Sequence, residues 1–277
     1  MTRPIFFLTD FGLVDTYVGV VKAVILGIAP DATVVDLTHD VPPQDVRAGA
    51  FALVTAAPYL PDEAVVLAVV DPGVGTARRP IAVQAAGRTF VGPDNGLLSW
   101  AVRAPLTPQP SLSCAGEGEH VVVLDRPRFW RLSLSATFHG RDLFGPVAAH
   151  LARGVPLEEV GTPAATMHEL PWPAARTVTG AGDGIVEAHG EVIHVDRYGN
   201  LITSLRGDDL PAQPVVSLAG QSIVGLSPHY QSPASGSRPL IALVGSSGLL
   251  EIAVPNGSAT TALQAGVGTP VAVTSGQ

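Results

Sequence analysis

A loop with catalytic potential, DPGVGTARR, begins at Asp71 directly after a hydrophobic run typical of a buried strand. Its glycines permit close backbone approach, so the loop can fold Arg78 back toward Asp71. It lacks the Gly-Lys-Ser/Thr ending of a phosphate loop and the GxGxxG pattern of a dinucleotide-binding loop. The loop therefore offers either a reactive carboxylate or, as the alternative, a structural salt bridge.

His139 stands in a second such segment, TFHGRD at residues 137–142. An apolar pattern with helical spacing follows, so His139 is expected just before a helix N-terminus, whose dipole favours a neutral imidazole. Together with Asp71 and Arg78 it predicts a site that activates water. Because arginine stays protonated, histidine or aspartate must accept the proton.

Three turn segments in the second half of the chain carry polar groups. DRYGN at residues 196–200 offers a carboxylate, an aromatic face and an amide, a set that can recognise a planar base. GSSGLLE at 245–251 places two hydroxyls in a tight turn, and VPNGS follows at 254–258. Ordinary hairpin chemistry explains each segment equally well.

Alternating strands and helices are predicted for the first part of the chain. The strands are expected at residues 4–9, 33–37, 64–70 and 89–91, and the helices at 17–28 and 45–57, with Asp45 as an N-cap. This alternation predicts a mainly parallel sheet, in which Asp10, Asp36 and Asp71 stand at the carboxyl ends of strands.

After residue 183 the pattern changes to short β segments separated by turns. Strands are expected at residues 184–187, 191–196, 201–204, 240–245 and 249–254. Residues 103–135 are interpreted as a surface excursion with one short strand at 121–124. The predicted organisation is an N-terminal α/β domain (1–163), a linker (164–183) and a C-terminal all-β, barrel-like domain (184–277).

Composition narrows the function classes. Of 277 residues, 46% are hydrophobic and 14% charged, which is typical of a globular protein. The net charge of −8 argues against nucleic-acid binding and suits a cationic or zwitterionic ligand. The single cysteine, Cys114, excludes an internal disulfide and a multi-thiolate metal site. The short apolar run near the N-terminus predicts neither a signal peptide nor a membrane partner, so a cytoplasmic location is expected.

Six motifs occur in a fixed order along the chain. They are TDFG at residue 9, DPGVGTARR at 71, GPDNGLL at 92, TFHGRD at 137, DRYGN at 196 and GSSGLLEIAV at 245. Over nearly its whole length the chain resembles the SAM hydroxide adenosyltransferases, relatives of the fluorinating and chlorinating SAM enzymes. The resemblance implies that water or hydroxide displaces methionine at the ribose 5′ carbon of S-adenosylmethionine (SAM), giving adenosine and methionine without a metal or other cofactor.

The resemblance also implies residue roles. Asp71, Arg78 and His139 would handle the water. The implied substrate contacts are Asp10 for the ribose hydroxyls; Asp15, Asp196 and Ser246 for the methionine part; Asn200, Ser247 and the backbone from Val254 to Gly257 for the nucleoside; and Phe138, Tyr198 and Tyr230 as stacking or packing surfaces.

At three positions the sequence differs from the halogenating relatives. These carry tyrosine where Asp71 stands, arginine at Ser247 and tryptophan at Gln44, so halide use is not expected. The family fold implied is an N-terminal α/β domain plus a C-terminal β-barrel. It assembles as a homotrimer with sites between one subunit's N-domain and its neighbour's C-domain.

Two alternatives stay open. A metal-dependent hydrolase is one, because Asp10, Asp36, His39, Asp71 and His139 are suitable donors. The other is a nucleoside-binding protein without turnover, which would have no need of the water-handling residues.

Overall fold

The computed structural model describes residues 2–103, 118–180, 184–231 and 240–276. It divides into two compact units, Met1–Leu170 and Pro171–Gln277. Cys114, part of the 103–135 excursion and the last three residues of the predicted linker lie outside the described residues. Within the described residues, no helix is long and apolar enough to span a membrane.

The first unit begins with the predicted alternation of strands and helices. These elements are β1 (Ile5–Thr9), α1 (Tyr17–Ile28), β2 (Val34–Thr38), α2 (Val46–Ala56) and β3 (Val65–Val69). Asp45 caps α2 as predicted, because its carboxylate accepts a hydrogen bond of 2.9 Å from the backbone N–H of Ala48.

The rest of this unit contains both predicted and unpredicted elements. Its strands and main helical segments are β4 (Pro80–Ala85), β5 (Arg88–Pro93), α3 (Ser99–Arg103), β6 (His120–Val123), a π-helical turn (Gly140–Phe144), α4 (Gly145–Ala152) and β7 (Thr162–Ala164). Of these, β4, α3, β7 and the π-helical turn were not predicted.

The seven-stranded sheet has the order β2-β1-β3-β5-β4-β6-β7. The pairs β1–β2, β1–β3 and β3–β5 are parallel, whereas β4–β5, β4–β6 and β6–β7 are antiparallel. The sheet is therefore mixed, and the expectation of a mainly parallel sheet is not confirmed. The cause lies in Ala86 and Gly87, whose φ angles of 49° and 72° form a tight hairpin turn between β4 and β5.

Strand β3 lies in the interior of this sheet, between β1 and β5, and is buried on both faces. Val65 and Leu67 face a core that includes residues of α1 and α4, whereas Val66 and Ala68 face a second core with residues of α2. This double burial explains the uninterrupted apolar run before Asp71.

In its described residues, the second unit is built from antiparallel strands with one short α-helix. Its elements are β8 (Arg176–Thr179), β9 (Ile185–Val195), β10 (Leu201–Arg206), β11 (Pro214–Leu218), β12 (Gln221–Val224), β13 (Ile241–Val244), β14 (Leu249–Ala253), α5 (Ala259–Leu263) and β15 (Pro270–Ser275). The strand order is β12-β11-β15-β9-β10-β14-β13, with β8 also paired to β9. The sheet is barrel-like, as predicted.

Strand β9 corrects the expectation of two separate strands at 184–187 and 191–196. It runs unbroken through Gly190, where a Cβ would lie 2.6 Å from Ser204 Oγ. The glycine allows close approach of β10 and does not end the strand.

Candidate active site

Two of the three carboxylates predicted at one sheet edge do lie there. Asp10 follows β1 directly and Asp71 comes two residues after β3. Because these strands are parallel neighbours, their carboxyl ends meet. Asp36 differs: it lies within β2, and Lys22 Nζ is 2.6 Å from its carboxylate.

A cavity of about 640 Å³ opens at this edge. Its lining includes the predicted site residues Asp10, Asp71, Phe138 and His139. The further lining residues are Phe11, Tyr17, Pro43, Gln44, Val69, Pro72, Val74, Ser135, Thr137, Gly140 and Arg141. Asp15 is exposed and does not line this cavity.

Arg78 joins Asp71 to His139. Its Nε donates to Asp71 Oδ1 at 2.9 Å and Oδ2 at 3.1 Å, and its Nη2 also donates to Oδ2. The same Nη2 lies 2.8 Å from Nδ1 of His139, 61 residues further along the chain. The side chains of Arg78 and Asp71 are only 10% and 5% exposed. The ion pair is therefore screened little by solvent.

The surroundings of His139 favour its neutral form. Burial lowers the pKa of its imidazole, the nearby charge of Arg78 lowers it further, and the carboxylates of Asp71 and Asp142 only partly oppose this. Arginine only donates, so Nδ1 must accept from Arg78 and the imidazole proton resides on Nε2. His139 can thus present an N–H donor through Nε2.

Gly75 lets the Asp71 loop approach the segment before His139. Its φ is +77°, and a Cβ there would lie 2.3 Å from the carbonyl oxygen of Ala136. A larger residue would clash with this backbone. Arg78 is further supported by Phe144, whose ring centroid lies 5.1 Å from its Cζ.

The π-helical turn after His139 has an identifiable cause. The N–H of Gly145 bonds to the carbonyl of Gly140, five residues back, and Pro146 has no N–H for the carbonyl of Asp142. That carbonyl instead accepts a 2.9 Å hydrogen bond from Arg131 N. The helix start is thereby tied to the loop that leads into the site.

Asp10 is oriented by a residue that sequence reasoning did not assign to the site. The backbone N–H of Gln44 donates to Asp10 Oδ2 at 2.7 Å, and Gln44 adopts a left-handed φ of 66°. Among the described residues no hydrogen bond reaches Oδ1 of Asp10, so this oxygen can accept from a ligand hydroxyl. Only a tertiary contact across 34 residues reveals this role.

Phe138 belongs to an aromatic cluster at the cavity wall. Its ring lies 5.8 Å from Phe11 and 5.3 Å from Tyr17, both in edge-to-face geometry, and the Cζ of Arg141 stands 5.0 Å from its centroid. The packed aromatic rings form an apolar wall of the cavity next to its polar side chains.

The side chains considered as metal ligands either lie apart or already contact other side chains. Asp36 and His39 contact each other, and the guanidinium of Arg78 lies between Asp71 and His139. Within the described parts of the chain, no cluster of three or more His, Cys, Asp or Glu has the geometry to hold a metal ion.

In the second unit, Asp196 organises the turn between β9 and β10. Its Oδ1 accepts from the backbone N–H of Tyr198 at 2.9 Å and Asn200 at 2.8 Å, and its Oδ2 accepts from Asn200 Nδ2 at 2.9 Å. Asn200 is buried, whereas Tyr198 is 77% exposed. The carboxylate of Asp196 and the side-chain amide of Asn200 are therefore already hydrogen-bonded within the turn.

The other two turn segments lie at opposite ends of β14. Ser246 and Ser247 precede the strand, whereas Val254 and Gly257 follow it. The start of α5, just after the later turn, contacts the Asp196 turn, because Thr260 N donates to the carbonyl of Gly199 at 3.0 Å.

Glu251, in the middle of β14, was not predicted as a site residue. It is 7% exposed, and its Oε1 accepts a 2.7 Å hydrogen bond from the Tyr230 hydroxyl. Burial raises its pKa, opposed by the Tyr230 hydrogen bond and supported by the charge of Asp196. The ring of Tyr230 stays half exposed, so its phenol is anchored while its face is open.

Comparison with known proteins places these features in a family. Residues 5–161 match the N-terminal domain of the SAM hydroxide adenosyltransferases and residues 190–272 match their C-terminal domain. A protein of Thermus thermophilus named (R)-S-adenosyl-L-methionine hydrolase is 45% identical over 97% of this chain and 98% of its own. A fluorinase of Actinopolyspora mzabensis is 30% identical over 77% of this chain and 75% of its own.

Among solved structures, an uncharacterized conserved protein from Thermotoga maritima superposes with a TM-score of 0.83 at 33% identity, covering 98% of this chain and 99% of that one. Both domains and nearly the full length are thus matched. The chain belongs to the SAM hydroxide adenosyltransferase family.

Proposed function

We propose that this protein hydrolyses SAM to adenosine and L-methionine. The observation that carries the proposal is the fixed Asp71–Arg78–His139 arrangement at the wall of a cavity that also exposes Asp10. A protein that only binds nucleosides has no need of these groups. The name of the Thermus relative supports the same reaction.

The proposed step is an in-line displacement at the ribose 5′ carbon. A bond forms between the water oxygen and C5′ while the C5′–S bond breaks, and its electron pair passes to the sulfonium, which leaves as the neutral thioether of methionine. No general acid is needed for this leaving group. The site contributes placement of the water and removal of its proton.

We propose the water-handling roles from the hydrogen-bond directions. The Nε2–H of His139 donates to the water oxygen and orients it, because Nδ1 is occupied by Arg78. The carboxylate of Asp71 accepts the proton, since Oδ1 receives only one hydrogen bond, from Arg78 Nε, among the described residues. Arg78 fixes both partners and remains charged throughout.

The substrate contacts are proposed from the same cavity and from the second unit. Asp10 would hold ribose hydroxyls through its available oxygen, with Phe138 in the adjoining wall. The remaining proposed contacts are Asp15, Asp196, Tyr198, Asn200, Tyr230, Ser246, Ser247, Val254 and Gly257. We propose that the protein assembles as a homotrimer with sites at subunit interfaces, as the family resemblance implies.

We further propose the (R) sulfonium epimer as the preferred substrate, in line with the relative's name. The two epimers exchange the methyl and aminobutyrate groups, so a pocket that aligns water with the C5′–S bond of one misplaces the other. The reaction is proposed to need no metal or cofactor, and a cytoplasmic location is proposed.

One incubation tests the function. Protein and SAM in H₂¹⁸O should yield adenosine with ¹⁸O at the 5′ hydroxyl, faster from the (R) than the (S) epimer, with and without chelator. No adenosine would overturn the proposal. Loss of activity with chelator would support a metal enzyme, and 5′-halogenated adenosine formed in halide would place the protein among the halogenating enzymes. Light scattering of the purified protein tests the trimer.

A further inference from the structure

His39 and Asp36 have no part in the cavity lining, yet they form a connected polar group. The side chain of His39 is 2% exposed, and its ring packs edge-on to Phe7 with centroids 4.8 Å apart. Nδ1 lies 2.8 Å from Thr9 Oγ1, and Nε2 lies 3.0 Å from Asp36 Oδ1, off the axis of a straight hydrogen bond. A buried imidazole requires partners of this kind.

The direction of the hydrogen bond follows from the group that can only accept. The carboxylate of Asp36 has no proton to donate, so the imidazole proton is placed on Nε2, which faces it at 3.0 Å. Nδ1 of this tautomer accepts from the Thr9 hydroxyl, whose oxygen in turn accepts from the backbone N–H of Phe11 at 3.2 Å. His39 is thereby tied through Thr9 to the backbone beside Asp10, while its contact with Asp36 is close but lacks hydrogen-bond geometry.

The segment after β2 holds the Asp10 loop, residues 9–12, at three points. His39 reaches the Thr9 hydroxyl through its ring, and its carbonyl accepts a 2.8 Å hydrogen bond from Gly12 N. Gln44 N donates to the carboxylate of Asp10. His39 provides two of these three contacts, one on each side of Asp10.

We propose that His39 is a positioning residue for substrate binding, acting through the Thr9 hydroxyl to hold the Asp10 loop so that the free carboxylate oxygen meets the ribose hydroxyls. The proposal rests on the proposed function, because it takes the nucleoside as the ligand of Asp10. A histidine that merely fills the core would affect folding without affecting recognition of the ribose.

Thr9 offers a nearly isosteric pair of variants. Thr9→Val removes the hydroxyl, whereas Thr9→Ser keeps it. Thr9→Val removes both hydrogen bonds of the hydroxyl, the one with His39 Nδ1 and the one from Phe11 N. If Asp10 is displaced as a result, the loss of one net hydrogen bond to the ribose corresponds to about tenfold in affinity. We expect Thr9→Val to raise KM for SAM and Kd for adenosine by about tenfold while kcat changes by less than about threefold. Thr9→Ser should retain wild-type values, as should Thr55→Val, which removes a hydroxyl bonded only within α2.

Discrimination between adenosine and 2′,3′-dideoxyadenosine gives a readout that a structural role would not change. Calorimetry should show that wild-type protein prefers adenosine and that Thr9→Val loses most of this preference. Unchanged preference in Thr9→Val would overturn the proposal. Should Thr9→Val fail to fold, His39→Asn, which keeps an acceptor near Nδ1, should bind adenosine more tightly than His39→Gln, and equal affinities would overturn it. Absence of SAM turnover by the wild type would count against the proposed function alone, since the binding comparison needs no hydrolysis.

Discussion

Asp71→Asn keeps the shape of the side chain and removes its charge. In the wild type the carboxylate accepts from two nitrogens of Arg78, and both side chains are at least 90% buried. An amide turns one of its two oxygens into a donor, which faces an arginine that can only donate. Breaking a pair at this depth costs about 3 kcal/mol of unfolding free energy. Loss of the proton acceptor lowers kcat by about 10²–10⁴-fold.

The assay separates the two effects. Single-turnover adenosine formation reports the chemical step, urea unfolding reports stability, and calorimetry reports adenosine affinity, which should change by less than about threefold. Asp94→Asn is the matched control: Asp94 is also 5% exposed and pairs with Arg79, but lies outside the lining of the site cavity. The control should lose stability and keep kcat. Equal loss of kcat in both variants, or wild-type kcat in Asp71→Asn, would refute the assignment of Asp71.

Three further outcomes are expected. Burial lowers the pKa of His139 below its ordinary value of about 6.5, so its neutral form prevails at neutral pH. As the pH is lowered, kcat/KM should therefore stay level down to about pH 7 and fall only below pH 6.5. An acid-side decline of kcat/KM centred above pH 7 would contradict this. Gly75→Ala forces a Cβ to 2.3 Å from Ala136 O and a φ of +77°, which should cost about 1–3 kcal/mol in urea unfolding and lower kcat; wild-type stability and rate would show that the loop adjusts freely. Tyr230→Phe leaves Glu251 without its hydroxyl partner and should weaken adenosine binding about tenfold by calorimetry; unchanged affinity would show that the Tyr230–Glu251 hydrogen bond has no part in forming the nucleoside site.

Local signals in the sequence predict much of the fold. The N-cap at Asp45 and the apolar run of β3 each determine their element without distant contacts. Strand orientation is different, because a buried strand has the same pattern in parallel and antiparallel pairs. The hairpin at Ala86 and Gly87 was missed since alanine gives no signal for a positive φ.

The candidate site likewise contains features that local sequence signals predict and features that they do not. The glycine-rich loop predicts the return of Arg78 toward Asp71, and the structure places them in contact. The roles of Gln44 and His39 depend on contacts across about 30 residues and on a left-handed backbone at Gln44, neither of which leaves a local pattern. In the sequence, Glu251 is a single polar residue within a hydrophobic strand, and only its burial beside Tyr230 identifies it as a candidate site residue.

Arg78 bridges two loops that are 61 residues apart in the chain through direct hydrogen bonds between protein side chains. The geometry of the water-handling groups is therefore set by the protein itself, and their dipoles need little reorganisation as charge moves from water to carboxylate. Substrate binding need not supply energy to build this half of the site. The binding energy of the substrate is then available for aligning the C5′–S bond with the attacking water. Sequence changes elsewhere in the cavity can therefore alter which sulfonium is accepted while the water-handling groups stay the same.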